Sequence, residues 1–439
     1  MTGIKKGVIE GFYGIPWTFE QRYSMINFLS DINMNQYIYA PKDDPYHNVK
    51  WRDLYPDNKL NELEKLAKLA QRKNIDFVWA IHPGQNLIDF SDYKNEIERI
   101  YKKYEQLHNI GIKSFALCMD DVDQNKAYEQ RGYHLQLVKD ILNFISDFEN
   151  RELLFVHPWY NQSWIDDKAR SYFDLFKNIK NLKIMWTGYD VVAPLRYDAN
   201  EEFIKLANQK PNIWFNWPVN DYKRDQIFME VFEFFDNRSL NFDSFLINPM
   251  NQAELSKLSI FQINEYLKDP SNYKAIEAFK KGLSYLDKDV ADDLYLIADS
   301  FFGSDIYNRE ENKKYLEDSR IAAAFKARDY EKINYLIDQK LEAIDNYESN
   351  YSNKNLYKEV ISFFTSLKYL LKAAKCAINK DYSKAADFYN KSKECKVRIY
   401  KEFSLDEIED RVVKTSSVLE EIYKKLMESK EDLWKKQFI

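Results

Sequence analysis

Ser114-Phe-Ala-Leu-Cys-Met-Asp-Asp-Val-Asp123 is the stretch on whose reading the fold turns. Phe115 to Met119 is a short apolar run of the kind that forms a strand buried on both faces. It leads straight into two adjacent carboxylates, Asp120 and Asp121. Two like charges placed together at the end of a buried strand raise one another's pKa, so the arrangement is costly without a use. The plain alternative is a helix N-cap, because acids suit the start of the polar segment that comes next. The other strands of the chain decide between the two.

Working outward, similar runs occur at Gly7–Tyr13, Gln36–Ala40, Asp76–Ile81, Glu152–His157, Leu182–Trp186, Asn212–Asn216 and Ser244–Asn248. Polar stretches with helical spacing lie between them, for example Phe19–Leu29, Leu60–Leu69 and Leu135–Phe144. Strands alternating with helices imply parallel pairing, and eight such repeats close into a barrel. The predicted fold is α/β, a (β/α)8 TIM barrel over residues 1–268. Reactive groups in such barrels sit where strands end and the following loops begin. Here those places read Glu10-Gly-Phe-Tyr-Gly14, Ala40-Pro-Lys-Asp-Asp-Pro-Tyr-His47, Ile81-His-Pro-Gly84, Asp120-Asp121, His157-Pro-Trp-Tyr160, Trp186-Thr-Gly-Tyr189, Asn216-Trp-Pro-Val-Asn-Asp221 and Asn248-Pro-Met-Asn251. Every one carries polar or aromatic groups able to face a ligand.

From Asp269 the pattern changes to charged helices with no convincing strand. Ile333, Leu336, Ile337, Leu341 and Ile344 keep the helical period, as do Leu356, Val360, Phe363, Phe364, Leu367, Leu370 and Leu371. Val412, Leu419, Ile422 and Leu426 suggest a last helix. Residues 269–439 are therefore expected to form an all-α helical bundle. Its apolar stripes read as bundle core first and as a dimer face second, which leaves a homodimer through this region as an expectation.

Composition narrows the function. The chain has 439 residues, 45% of them hydrophobic and 16% aromatic, with 32 tyrosines and 9 tryptophans. That load suits stacking on sugar rings as well as a large core. A net charge of -6 gives no support to nucleic-acid binding. The three cysteines, Cys118, Cys376 and Cys395, suggest no disulfide framework, and no Cys/His spacing resembles a zinc site. Neither a signal peptide nor a run of about 18 apolar residues is visible, so no membrane association is expected. A cytoplasmic location is expected of the chain as given, with a secreted form as the alternative.

Taken together, the strand ends resemble glycoside hydrolase family 84, the retaining β-N-acetylglucosaminidases that include protein O-GlcNAc hydrolases and hyaluronidase-like bacterial enzymes. The resemblance rests on Gly7-Val-Ile-Glu-Gly-Phe-Tyr-Gly-Ile-Pro-Trp17, Tyr37-Ile-Tyr-Ala-Pro-Lys-Asp-Asp-Pro-Tyr-His47, Asp120-Asp121, Met185-Trp-Thr-Gly188, Asn216-Trp-Pro-Val-Asn-Asp-Tyr222 and Asn248-Pro-Met250, in order along residues 4 to about 265. The resemblance implies that Asp120 orients and polarises the substrate's 2-acetamido group. It implies that Asp121 protonates the leaving oxygen and then activates water. Gly11 (through its backbone), Lys42, Asn216, Asp221 and Asn248 are implied as sugar-binding residues, Tyr160 as the donor to the acetamido carbonyl, and Trp214 as a wall of the acetamido pocket. One departure is visible: family members often read Pro-Thr-x-Tyr after the fifth strand, whereas this chain has His157-Pro-Trp-Tyr160.

The chemistry agrees with these residue types. Glycoside hydrolysis ordinarily uses two carboxylates that flank the scissile bond. Adjacent acids cannot straddle a sugar in that way, but substrate assistance resolves the difficulty, since the acetamido oxygen itself attacks the anomeric carbon. The expectation is a retaining, metal-free, cofactor-free exo-β-N-acetylglucosaminidase acting on a glycoprotein or glycan that bears N-acetylglucosamine, whether a modified protein, a host glycan or a cell-wall fragment. The rivals are a non-catalytic barrel that binds N-acetylhexosamine and a metal-dependent barrel hydrolase. Asp43 and Asp44 read as loop hydrogen-bonding groups rather than a second catalytic pair, and Asp123 as a capping or supporting group. His82 and His157 read as structural or rim residues rather than metal ligands, and Glu10 as a group beneath the site.

Overall fold

The computed structural model describes residues 4–85, 87–233, 235–306, 318–401 and 407–437. Eight parallel strands close into a barrel: β1 (Lys5–Glu10), β2 (Gln36–Tyr39), β3 (Asp76–Ile81), β4 (Ser114–Cys118), β5 (Leu153–Val156), β6 (Leu182–Trp186), β7 (Asn212–Phe215) and β8 (Ser244–Ile247). Closure is made by β1 against β8, where Lys5 pairs with Ser244 and Val8 with Ile247.

The apolar runs become strands because both of their faces are covered. Alternate residues turn inward, so that Ile9, Ile38, Val78, Ala80, Ala116, Cys118, Leu154, Val156 and Leu246 share one buried cluster. Small residues at Ala80 and Ala116 leave room for Met185, Tyr160 and Trp214, which belong to the same cluster. The intervening helices include α1 (Phe19–Asp31), α2 (Asp57–Arg72), α3 (Tyr93–Asn109), α4 (Gln124–Glu129) and α5 (Arg131–Phe144). Local sequence sets their starts. Thr18 and Gln21 cap α1 reciprocally, side chain to backbone in both directions, at 3.2 and 2.9 Å.

At the N-terminal mouth of the barrel a cavity of about 220 Å³ is rimmed by ion pairs: Lys5 to Asp76 at 3.0 Å, and Lys183 to Glu152 and Asp243, each at 3.5 Å. The chemistry lies at the other mouth.

The repeat is broken once. Between β7 and β8 no α-helix forms among the described residues, only 3₁₀ turns at Asp221–Lys223 and Asn237–Ser239. Ile227 to Phe232 has no regular secondary structure and is buried at every position, including Glu230, so it has no polar face to turn to water as a surface helix would.

By internal contacts the chain forms two compact units, residues 1–221, 233–253 and 264–272 in the first and residues 222–232, 254–263 and 273–439 in the second. The second unit is mainly helical. In α6 (Tyr330–Asn350) and α7 (Lys354–Ile378) the expected stripes are buried, Leu341 alone being half-buried. Small residues Ala373, Ala377 and Ala385 pack with Tyr423.

One expectation is corrected here. The region is not all helix, because Lys396–Tyr400 and Ile408–Val412 pair as a two-stranded antiparallel ribbon, β9 and β10. Val412 closes that ribbon, and the last helix begins at Ser417. The ribbon's side chains are half-buried or exposed, Ile399 alone being buried, so its apolar signal is weak. No helix among the described residues is long and apolar enough to cross a membrane.

Candidate active site

β4 delivers the two acids. Met119 continues the ladder through its N–H to the Val156 carbonyl at 2.7 Å, and the backbone then turns. Asp121 takes a left-handed φ of 56°, a conformation that costs most residues about 1 kcal/mol or more and that Asp tolerates better than most. The turn gives the neighbouring carboxylates different surroundings: Asp120 is buried, whereas Asp121 is exposed.

Asp120 meets two groups from adjacent strand ends. The ammonium of Lys42, on the loop after β2, binds Oδ2. His82, directly after β3, places Nε2 3.2 Å from the Asp120 carbonyl oxygen and 3.4 Å from Oδ1. The Asp120 Oδ1 atom is buried and has no hydrogen-bond partner among the described residues. Burial acts to lower the Lys42 pKa, but the charges of Asp120 and Asp121 outweigh it and hold the ammonium above the usual lysine value. Burial, then the charge of Lys42, pushes His82 down to about 3, so its imidazole is neutral.

Two phenols hold Asp121. Tyr13 donates to Oδ2 at 2.5 Å and Tyr160 donates to Oδ1 at 3.1 Å. Burial first, then the neighbouring carboxylates, raises both tyrosines well above the usual phenol value, so they remain donors. Gln85 in turn donates to the Tyr13 hydroxyl at 2.7 Å.

The wall opposite is a chain of amides. Gly11 N–H donates to Asn248 Oδ1 at 3.3 Å. Asn248 Nδ2 and Trp214 Nε1 both donate to Asn216 Oδ1 at 2.9 Å, and Asn216 Nδ2 donates to the Val191 carbonyl at 2.9 Å. These bonds fix both amide orientations and the plane of the indole. A side chain on Gly11 would place its Cβ 2.3 Å from Trp214 Cζ2, so the ring lies directly on the glycine. The ring also stands 5.7 Å from the Lys42 ammonium, within cation–π range. Asp221 accepts the Tyr13 N–H at 2.9 Å.

All nine residues singled out from the sequence therefore lie on the loops and strand ends of one unit. The secondary readings also find their places. Asp44 accepts from Tyr39 at 2.7 Å and Tyr55 at 2.8 Å, and Asp43 accepts from Gly14 N–H at 2.5 Å. Asp123 caps α4. Glu10 is buried against Arg22, in bidentate contact at 2.8 Å, and accepts from Tyr37 at 2.5 Å. His157 is buried with Nδ1 3.3 Å from the Trp159 N–H. The described residues contain no group of three His, Cys, Asp or Glu that could hold a metal ion. Sequence reasoning missed Tyr13 and Gln85 and undervalued His82. Tyr13 carried a signal, since it lies just past β1 within the quoted Glu10–Gly14 segment.

A closed parallel barrel with a buried, lysine-neutralised carboxylate beside an exposed one, walled by tryptophan and amides, defines the class: a barrel whose strand-end pocket is built for a small polar ligand. The family model described as beta-N-acetylglucosaminidase matches residues 6–299, and the chain belongs to that family. It is similar to the protein O-GlcNAcases of Rattus norvegicus and Mus musculus, 29% identical to each over 282 residues, which is 61% of this chain and 30% of theirs. The chain thus spans about three tenths of the length of those relatives. Among solved structures, that of CpGH84D superposes with a TM-score of 0.78 at 25% identity, covering 96% of this chain and 74% of that one. An O-GlcNAc hydrolase from Thermobaculum terrenum superposes equally well at 20% identity, covering 96% and 94%, a likeness of fold.

Proposed function

We propose that this chain is a retaining exo-β-N-acetylglucosaminidase of the O-GlcNAcase type, working by substrate-assisted catalysis. One observation carries the reading: Asp120 is a buried carboxylate with Oδ2 bound by Lys42 and Oδ1 unpartnered among the described residues. An acceptor so prepared suits the N–H of a 2-acetamido group. As the acetamido oxygen attacks the anomeric carbon, positive charge grows on that nitrogen, and Asp120 stabilises it in a site shielded from water. The glycosidic C–O bond breaks, its electron pair goes to the leaving oxygen, and Asp121 supplies the proton. An oxazoline results. Asp121, now a carboxylate, takes a proton from the water that opens the ring, and the β configuration is restored.

The binding roles belong to the same pocket. Trp214 forms one wall for the acetamido methyl, and Tyr160 is near enough to Asp121 to turn its hydroxyl to the acetamido carbonyl instead. The Gly11 N–H is engaged by Asn248, so a sugar contact at this residue falls to its carbonyl. Asn216, Asn248, Lys42 and Asp221 are the polar groups we assign to the sugar hydroxyls. The rat and mouse relatives are protein O-GlcNAcases, which supports a glycoprotein bearing N-acetylglucosamine as the substrate.

The test is to incubate the protein with an aryl β-N-acetylglucosaminide and follow the anomeric protons by NMR, then to compare release of N-acetylglucosamine from a glycopeptide, a chitin fragment and hyaluronan. The β-anomer should appear first, and the glycopeptide should be cleaved. Failure to hydrolyse the aryl glycoside, or first appearance of the α-anomer, would overturn the reading.

A further inference from the structure

His82 takes no part in the proposed proton transfers, yet it is the only imidazole among the described residues in contact with Asp120. Its ring is buried completely. The backbone N–H of His82 donates to the His47 carbonyl at 2.8 Å, which anchors the main chain beneath the ring. Nδ1 lies 3.4 Å from the Lys42 ammonium and Nε2 lies 3.2 Å from the Asp120 carbonyl oxygen. An ammonium can only donate and a carbonyl can only accept, so the network assigns the tautomer. Nδ1 is the acceptor and Nε2 carries the proton. Gly84 closes the ring in from the other side, since a Cβ there would stand 3.1 Å from the imidazole and 3.2 Å from the same Asp120 carbonyl.

We infer that His82 is a positioning residue for the reaction, a neutral imidazole that bridges Lys42 to the main chain of Asp120 and thereby decides which carboxylate oxygen is left for the substrate. The single proton on Nε2 is spent on the carbonyl, so Oδ1, 3.4 Å away, is not claimed. The lone pair on Nδ1 accepts a hydrogen bond from the ammonium and steers the rest of Lys42 toward Oδ2. Without the bridge, Lys42 can straddle both oxygens, and the carboxylate loses its fixed presentation to the acetamido N–H. The energetic lever is orientation, and a misplacement of about 1 Å at a reacting group costs about a hundredfold in rate.

The inference rests on the acetamido role of Asp120, so the experiment includes Asp120→Asn as a control. His82→Gln can keep both ends of the bridge, its amide N–H on the Asp120 carbonyl and its amide oxygen toward Lys42, whereas His82→Asn keeps a group near Nδ1 but loses the reach to the Asp120 carbonyl. His82→Leu loses both. With kcat and KM measured on an activated aryl glycoside and on a poor leaving group, His82→Leu should lower kcat on both substrates alike, by about tenfold to a hundredfold, with KM changed far less. His82→Gln should recover most of that loss, and His82→Asn should not. If His82→Leu does not fold, the Gln and Asn variants decide between themselves. Equal activity of Gln and Asn, or a His82→Leu enzyme within twofold of the parent, would overturn the inference. A fully active Asp120→Asn would instead overturn the role of Asp120 on which it stands.

Discussion

The Lys42 ammonium binds Oδ2 of Asp120 and leaves Oδ1 of the same buried carboxylate without a hydrogen-bond partner among the described residues. A buried charge is tolerated when it is paired, and here the pairing is one-sided. Asp121, one residue on, has an exposed side chain and two phenol donors instead. Neighbours in sequence are thus made chemically unlike by a single left-handed turn.

That difference predicts different kinetics for the two acids. General acid catalysis contributes about 10²–10⁴-fold, and the demand for it grows with the basicity of the leaving group. Asp121→Asn should be severely slow on poor leaving groups and much less impaired on activated aryl glycosides in the first step. Asp120→Asn should be slow on both, because stabilising the acetamido nitrogen does not depend on what leaves. Measuring kcat/KM across a series of aryl leaving groups checks this, and equal slopes for the two variants would contradict the assignment.

Gly11 is predicted to be irreplaceable for binding. Alanine there would drive its Cβ into the rigid indole of Trp214, which is tied to Asn216 and cannot yield without breaking that bond. Overpacking of this kind costs about 1–3 kcal/mol. If that cost falls on the pocket wall, Gly11→Ala should weaken sugar-shaped inhibitors by roughly fivefold to a hundredfold or more. Calorimetric titration of the folded variant checks it, and unchanged affinity would remove the Gly11–Trp214 contact from the binding account.

Four buried histidines set a pH dependence of stability. Burial is the main cause that lowers His47, His82 and His157 to about 3 and His134 to about 4, from 6.5. Below 6.5 the unfolded chain takes up protons that the folded chain refuses until pH 3–4, so the unfolded state binds more. Stability therefore rises with pH across that window and falls as the solution is acidified, by up to about 1.4 kcal/mol per pH unit for each histidine. Urea midpoints should drop steadily from pH 6.5 to 5. His134→Gln, which keeps a partner for the Tyr172 hydroxyl, should reduce the slope. A midpoint that is flat over that range would contradict the neutral assignment.

Much of the fold was legible in the sequence because a buried parallel strand announces itself as an unbroken apolar run, and a barrel announces its working face by the polar residues at the end of each run. That rule marked the segments that hold Asp120, Lys42, Asn216 and Asn248, and the resemblance to the family singled out these residues within them. Tyr13 and His82 were not given their weight, because their partners lie 108 and 38 residues away and only the closed barrel brings them together. Gln85 reaches Tyr13 across 72 residues in the same way. The β9–β10 ribbon escaped for a different reason: with a single fully buried side chain and the rest half-buried or exposed, it lacks the buried face that makes a strand readable.

The central claim is that the nucleophile belongs to the substrate, and fluorine in the N-acetyl group tests it most directly. Each fluorine withdraws electron density from the carbonyl oxygen while leaving its position nearly unchanged. With aryl glycosides bearing zero to three fluorines, kcat/KM should fall in a graded series, since every 1.4 kcal/mol added to the barrier costs about tenfold. A flat series would contradict the account, and labelling of a protein carboxylate by a 2-deoxy-2-fluoro glycoside would name the nucleophile that replaces it.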